Sequence, residues 1–296
     1  MKYGILTIDY KNVNLGNRLI EYALRTLLNL PAPSVSVSMF SYPSEDQIAA
    51  LNKCDFVLLP GSTILAKGSG QGEATACLSR IHVPKFCVGA SYWSPNFPLN
   101  EGILKHITPP IGVRDPDTFN ACSCVGADAM LVGCPTAYVP KIEIGTKPPY
   151  SIIGFARTNI DTQVNLLSKV PGMCFASIQE QNFELPIAKR LTPHVIQYDN
   201  SAAVYQCYAG AAAVYTGRLH SILPALSQHK PVFFFGDIAD SRFSLLKMYG
   251  VTVNPITYNE PFVLTYSNVY TSALETTKAT FYQWYEKTIK QFVGKQ

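Results

Sequence analysis

Ala211-Ala212-Ala213-Val214-Tyr215-Thr216-Gly217-Arg218-Leu219-His220-Ser221-Ile222-Leu223 reads as a strand, a turn and a helix in immediate succession. The small apolar run Ala211 to Tyr215 suits a strand buried on both faces, Gly217 loosens the turn, and Leu219 to Gln228 carries helical spacing. Pro224 is read as tolerable near the helix start. The same unit recurs on both sides of this stretch. Lys2 to Ile8 is a strand followed by Asn14-Leu15-Gly16-Asn17 and by Leu19, Ile20, Ala23, Leu24, Leu27 and Leu28 on one helical face. Cys54 to Leu59 closes with Pro60-Gly61-Ser62-Thr63, Val83 to Val88 with Gly89-Ala90-Ser91, Ile111 to Val113 with Arg114-Asp115, and Met130 to Val132 with Gly133-Cys134-Pro135. Further strands are expected at Tyr150 to Phe155, Met173 to Ile178, His194 to Gln197 and Pro231 to Phe235, with helices at Asp161 to Val170, Asn200 to Tyr208 and Ser241 to Tyr249.

Strands that alternate with helices need crossover connections, so the expected class is α/β: two Rossmann-like parallel-sheet domains facing a central cleft. Pro140 to Pro149, with three prolines and a glycine, reads as the linker. The expected division is residues 1–142, residues 143–271, and a C-terminal helix in 272–296 that packs back on the first domain. Ligands of such folds bind at the C-terminal ends of the strands.

Composition narrows the function. Hydrophobic residues make up 47% of the 296 and charged residues 15%, so the whole chain is expected to fold. The formal charge of +4 comes from scattered Lys and Arg, which argues against nucleic acid and suits a small anionic substrate. No apolar run approaches the roughly 20 residues of a membrane helix, and no signal-like segment opens the chain. Eight cysteines without a CxxC read as thiols in a reducing, cytoplasmic setting. Cys122-Ser123-Cys124 lacks the companions of a zinc site, and neither HExxH nor G-x-S-x-G occurs, so metal and serine hydrolase chemistry have no motif. No GxxxxGK[ST] and no GxGxxG after a strand is present.

The chemistry concentrates at strand-to-helix turns, where open backbone N–H groups and the helix dipole favour an anion. Arg218 offers a planar fork for carboxylate or phosphate, and His220 a group that titrates near neutrality. Gly217 and Ser221 flank them. Arg114 holds the equivalent place in the first half, although Arg114-Asp115 also reads as a surface pair of little energetic weight. Gly61 permits close approach to a phosphate, and Ser62 and Thr63 add hydroxyl donors. Gln179-Glu180 and Asp237, each past an expected strand, are weaker candidates for sugar hydroxyls.

The order Asn14-Leu15-Gly16-Asn17, Gly61-Ser62, Gly112-Val113-Arg114-Asp115 and Thr216-Gly217-Arg218-Leu219-His220-Ser221, with Lys230-Pro231-Val232 downstream, resembles the polysaccharide pyruvyl transferase family. That family is similar to glycosyltransferases of the two-Rossmann-domain (GT-B) type. The resemblance implies a transferase that moves pyruvate from phosphoenolpyruvate onto a sugar as a ketal, with no cofactor, acting on a glycan acceptor, lipid-linked acceptors included. It implies that Arg218, Leu219 and His220 line the donor site with Arg114 as a second cationic wall. Asn17 stands where the family often has Asp, Gly61-Ser62-Thr63 replaces a Gly-Gly-Gly-like turn, and Arg242 stands near a common Lys. A nucleotide-sugar glycosyltransferase and a non-catalytic binder of an anionic glycan or metabolite are the competing expectations.

Overall fold

The computed structural model describes residues 1–7, 16–39, 42–68, 71–92, 97–144, 150–155, 160–170, 172–177, 181–196, 201–235, 240–253, 262–265 and 268–294. The first half runs β1 (Tyr3–Thr7), α1 (Gly16–Leu27), β2 (Val35–Ser38), α2 (Glu45–Leu51), β3 (Phe56–Ser62), α3 (Gln71–Ser79), β4 (Lys85–Ala90), α4 (Glu101–Leu104), β5 (Ile111–Val113), α5 (Pro116–Cys124) and β6 (Ala129–Leu131). Its strands form one parallel sheet in the order β2-β1-β3-β4-β5-β6. The second half runs β7 (Tyr150–Gly154), α6 (Ile160–Leu167), β8 (Met173–Ser177), α7 (Gln181–Leu191), β9 (Val195–Ile196), α8 (Ser201–Gly210), β10 (Ala211–Thr216), α9 (Leu219–Ser227), β11 (Val232–Phe234), α10 (Ser244–Met248), β12 (Thr252–Val253) and β13 (Phe262–Thr265). These strands pair as β12-β13-β11-β10-β7-β8-β9.

Two α/β halves built on parallel sheets are therefore present, with departures from the sequence reading. Strand β2, the alternating Val35-Ser36-Val37-Ser38, had no forecast, and it pairs parallel to β1 at the sheet edge. The second sheet is not wholly parallel, because β13 runs antiparallel to both β11 and β12. Pro224 lies inside α9, beyond its first turn.

Local chemistry explains the main elements. The central strands β1, β3 and β4 are buried almost throughout, as a sheet covered on both faces requires. α1 buries Leu19, Ile20, Ala23 and Leu24 along one stripe. α2 starts with a capping box in which Ser44 and Gln47 exchange side-chain and backbone hydrogen bonds. α5 starts with Asp115 as N-cap and Pro116 in its first turn.

The two halves share one core. Leu19, Ile20, Ala23 and Leu24 of α1 belong to the same apolar cluster as Tyr205, Tyr208, Leu219 and Ile222 of α8 and α9. Tyr22 stacks on Tyr205 at 5.5 Å, and the Tyr205 hydroxyl donates to the Thr136 carbonyl. The Cys134 N–H donates to the Tyr249 hydroxyl at 2.9 Å, and that hydroxyl lies 3.1 Å from the Tyr138 hydroxyl. The last long helix, α11 (Asn268–Tyr285), returns to the first half, where the Trp284 indole N–H donates to the Pro110 carbonyl; beyond its end, Phe292 meets Phe56 and Phe86 edge to face.

All eight cysteines are free thiols. Among the described residues no helix is long and apolar enough to cross a membrane, and no three His, Cys, Asp or Glu side chains gather as metal ligands.

Candidate active site

Sheet topology selects the site. In the first sheet the strand order reverses direction between β1 and β3, and in the second between β7 and β10; ligands of open α/β sheets bind at such switch points, beyond the strands' C-terminal ends. The first switch point leads into Gly16 at the start of α1, the second into Arg218 and His220 at the start of α9. The two meet. A Cβ on Gly16 would stand 2.7 Å from Cγ and 2.9 Å from Nδ1 of the His220 ring, so only glycine lets α1 begin against this imidazole.

His220 keeps part of its edge in solvent but packs deep among protein atoms and cations. Burial and the charges of Arg114, Arg218 and Arg242 lower its pKa to about 3, opposed by a hydrogen bond with the Gly16 backbone. The sequence reading, a group titrating near neutrality, is corrected for the ligand-free site. Burial, together with three guanidiniums from three separate segments, makes a protonated ring there too costly.

Those arginines are held differently. Arg114 is 4% exposed and follows β5, with its N–H donating to the Ala90 carbonyl. Its Nε lies 3.5 Å from Oδ2 of Asp115, both side chains buried, so the pair is an interior one and the alternative reading of a surface pair does not hold. The other Asp115 oxygen caps α5, accepting from the Thr118 N–H and hydroxyl. Burial raises the Asp115 pKa, with Arg114 and Thr118 acting in the opposite sense. The buried Nη2 of Arg114 has no hydrogen-bond partner.

Arg218 occupies the N-cap of α9 in extended backbone conformation without a side-chain cap bond. Its Nε donates to the Phe155 carbonyl, and its Nη2 lies 2.6 Å from Oε1 of the fully buried Glu184 on α7. Arg242 forks onto Asp240, which is the N-cap of its own turn. Burial opposes ionisation of Asp240, but Arg242 hydrogen bonds and the charges of Arg242 and Arg114 outweigh it and lower its pKa. α10, just after Arg242, packs on α5, just after Arg114.

The remaining expected residues divide. Gly217 lies in the turn between β10 and Arg218. Leu219 is buried in the shared core, anchoring α9 beside the site. Ser221 is fully buried behind the turn, where a Cβ on Gly154 would stand 2.6 Å from its hydroxyl. Asn17 is buried in the first turn of α1. Gly61, Ser62 and Thr63 lie at the end of β3, two strands from β5. Packing by itself requires glycine at 61, since a Cβ would stand 2.0 Å from the Gly89 carbonyl oxygen. Asn14, Gln179, Glu180 and Asp237 lie outside the described residues.

Glu184 and Asp240 went unnoticed in the sequence. Glu184 carried a signal: it shares a helical face with Ala188 and Leu191 at i+4 and i+7, where a carboxylate has to find a cation. A cavity of about 510 Å³, lined by Ile142, Tyr150, Met173, Phe175 and Cys207 among others, opens at the opposite, N-terminal edge of β7 and β8. It is not part of the arginine cluster.

This arrangement suits a small polyanion: guanidiniums from both halves, an uncapped helix start and an imidazole that gains a proton as negative charge arrives. A family model for polysaccharide pyruvyl transferase matches residues 14–237. A search of curated proteins by sequence finds no match. Among solved structures, the chain is similar to a UDP-GlcNAc 2-epimerase from Neisseria meningitidis bound to UDP-GlcNAc, at 14% identity and TM-score 0.53, covering 97% of this chain and 94% of that one. It is similar to S. aureus MnaA, solved with UDP, at 11% identity and TM-score 0.55, over 95% and 90% of the two chains. A looser likeness, TM-score 0.48 at 12% identity over 96% and 95%, is to the glycosyltransferase SnogD from Streptomyces nogalater.

Proposed function

The chain belongs to the polysaccharide pyruvyl transferase family, and from that premise we propose that it moves pyruvate from phosphoenolpyruvate onto a sugar of a polysaccharide or glycan precursor, closing a ketal and releasing phosphate. The observation that carries this reading is the convergence of Arg114, Arg218 and Arg242 on His220. Phosphoenolpyruvate brings a carboxylate and a phosphate, and its negative charge offsets the guanidiniums that, with burial, keep His220 neutral. The imidazole then takes up a proton on donor binding and delivers it to the methylene carbon of the enol. The adjacent carbon becomes electrophilic, one sugar hydroxyl adds and gives up its proton, and a second displaces phosphate to close the ring. The arginines stabilise the phosphate as it leaves.

In this reading the second half supplies most of the donor site and the first half, Arg114 apart, faces the acceptor. Ser62 and Thr63, at the end of β3, offer hydroxyls to it. The donor is a cytoplasmic metabolite, which sets the reaction in that compartment.

The test is incubation of the chain with phosphoenolpyruvate and a panel of hexosides, N-acetylhexosaminides and lipid-linked sugars, followed by mass spectrometry and phosphate release. A pyruvate-sized mass gain with matching phosphate supports the reading. Donor binding without product marks a non-catalytic binder. Competition by a nucleoside diphosphate alone, with no effect of phosphoenolpyruvate, assigns the site to a nucleotide-sugar glycosyltransferase.

A further inference from the structure

Next to Arg114 lies a residue that the reading above does not use. Ala90 at the end of β4 and Val113 at the end of β5 are register partners, so Ser91 and Arg114 follow side by side where the two chains leave the sheet. Ser91 is fully buried, and its backbone is fixed on both sides: its N–H donates to the Ser62 carbonyl and its carbonyl accepts from the Leu65 N–H. Its hydroxyl has no hydrogen-bond partner, and neither has Nη2 of Arg114. The next residue, Tyr92, donates its N–H to the Thr118 hydroxyl, which in turn donates to Oδ1 of Asp115; the other Asp115 oxygen faces Nε of Arg114 at 3.5 Å as an ion pair without a hydrogen bond, which leaves Nη2 to a ligand. Two unsatisfied donors at neighbouring strand ends in a protein interior are costly unless they serve a ligand.

We infer that the Ser91 hydroxyl and the Arg114 guanidinium form one subsite that takes a carboxylate. This rests on the pyruvyl transfer reading and assigns the two ends of its donor. The pair offers an O–H and an N–H to a planar group with two oxygens, and Asp115 already offsets part of the Arg114 charge, which suits a monoanion. The more highly charged phosphate goes to the other side, towards Arg218 and the start of α9. Both donors are buried and α10 packs on α5 beside them, so the carboxylate is enclosed once bound.

The experiment compares wild type, Ser91→Ala and Ser91→Cys by binding and thermal unfolding with three probes: phosphoenolpyruvate, pyruvate and inorganic phosphate. An unpartnered hydroxyl supports nothing in the ligand-free fold, so the ligand-free melting temperature of Ser91→Ala stays at or above that of wild type. Its affinity for phosphoenolpyruvate and pyruvate falls about tenfold or more, the loss of one hydrogen bond to a charged group, while phosphate binding is unchanged. Ser91→Cys, with a weaker donor of similar size, falls between. Equal phosphoenolpyruvate affinity in wild type and Ser91→Ala overturns the subsite alone. Equal losses for phosphate and pyruvate overturn its assignment to carboxylate. Should Ser91→Ala misfold, Ser91→Cys alone decides, by the same ratio of pyruvate to phosphate affinity. Wild type that binds none of the three probes overturns the subsite and the pyruvyl transfer reading together.

Discussion

Two turns in this molecule look alike in sequence and are built to opposite ends. Arg114 and Arg218 each follow a parallel strand and stand before a helix, α5 and α9. At α5 the residue after the arginine is Asp115, whose carboxylate caps the helix, so the helix start is already satisfied and the turn contributes a guanidinium. At α9 the arginine itself is the N-cap and makes no side-chain cap bond, so the turn contributes the helix start and His220, with its arginine tied back to Glu184 and Phe155. A neighbour in sequence neutralises Arg114, whereas a residue on another helix neutralises Arg218. Identical placement in the fold therefore gives a charge on one wall and a helix end with an imidazole on the other.

The sharpest way to break this contrast is to remove each arginine. Arg114→Ala should raise the KM for phosphoenolpyruvate on the order of a hundredfold, since a buried charged donor is lost and Asp115 is left without its counter-ion. Arg218→Ala should cost less in KM, because Glu184 already engages it; initial-rate kinetics showing the reverse order would contradict the division of roles. Glu184→Ala, which releases Arg218 without touching the donor, is expected to reduce kcat/KM about tenfold, with Glu184→Gln intermediate because it keeps a hydrogen bond. Gly16→Ala probes the meeting of the two switch points. Its methyl group displaces the His220 ring and should lower kcat severalfold with little change in KM, and unaltered turnover would show that the ring position is not critical.

A smaller effect concerns acid stability. Unfolded, His220 ionises near 6.5; folded and ligand-free, near about 3. The unfolded chain therefore takes up a proton that the native state refuses, so this contribution to stability is complete above 6.5 and is lost as the pH falls towards 3. Urea unfolding at pH 7 and pH 5 should show a shallower loss in His220→Gln than in wild type. The smallest effect belongs to Ser62, whose φ of 122° is a conformation glycine adopts without cost. Ser62→Gly should raise stability by about 1 kcal/mol in the same measurement, and a loss would mean that the hydroxyl matters more than the strain.

The contrast also marks what the sequence makes legible. The central strands read as apolar runs because both their faces are covered, and Arg114, Arg218 and His220 stand out because turns after such runs are few. Val35–Ser38 escapes because four alternating residues carry too little apolar signal, and Thr252–Val253 with Phe262–Thr265 because strands this short depend on their partners. The lowered pKa of His220 is not legible at all: it comes from burial first and then from three charges that only the fold gathers. Nor is the setting of Ser221 legible, since its place in the motif suggests a ligand and the fold buries its side chain beside Gly154.

The return of α11 to the first sheet bears on the order of assembly. The Pro110 carbonyl waits for an indole 174 residues further along the chain, and Phe56 and Phe86 wait for Phe292. During synthesis the first half leaves the ribosome with part of its apolar surface uncovered for as long as the second half takes to be made. Closure of that surface by so distant a segment makes for slow, late consolidation and a long interval in which a chaperone has something to hold.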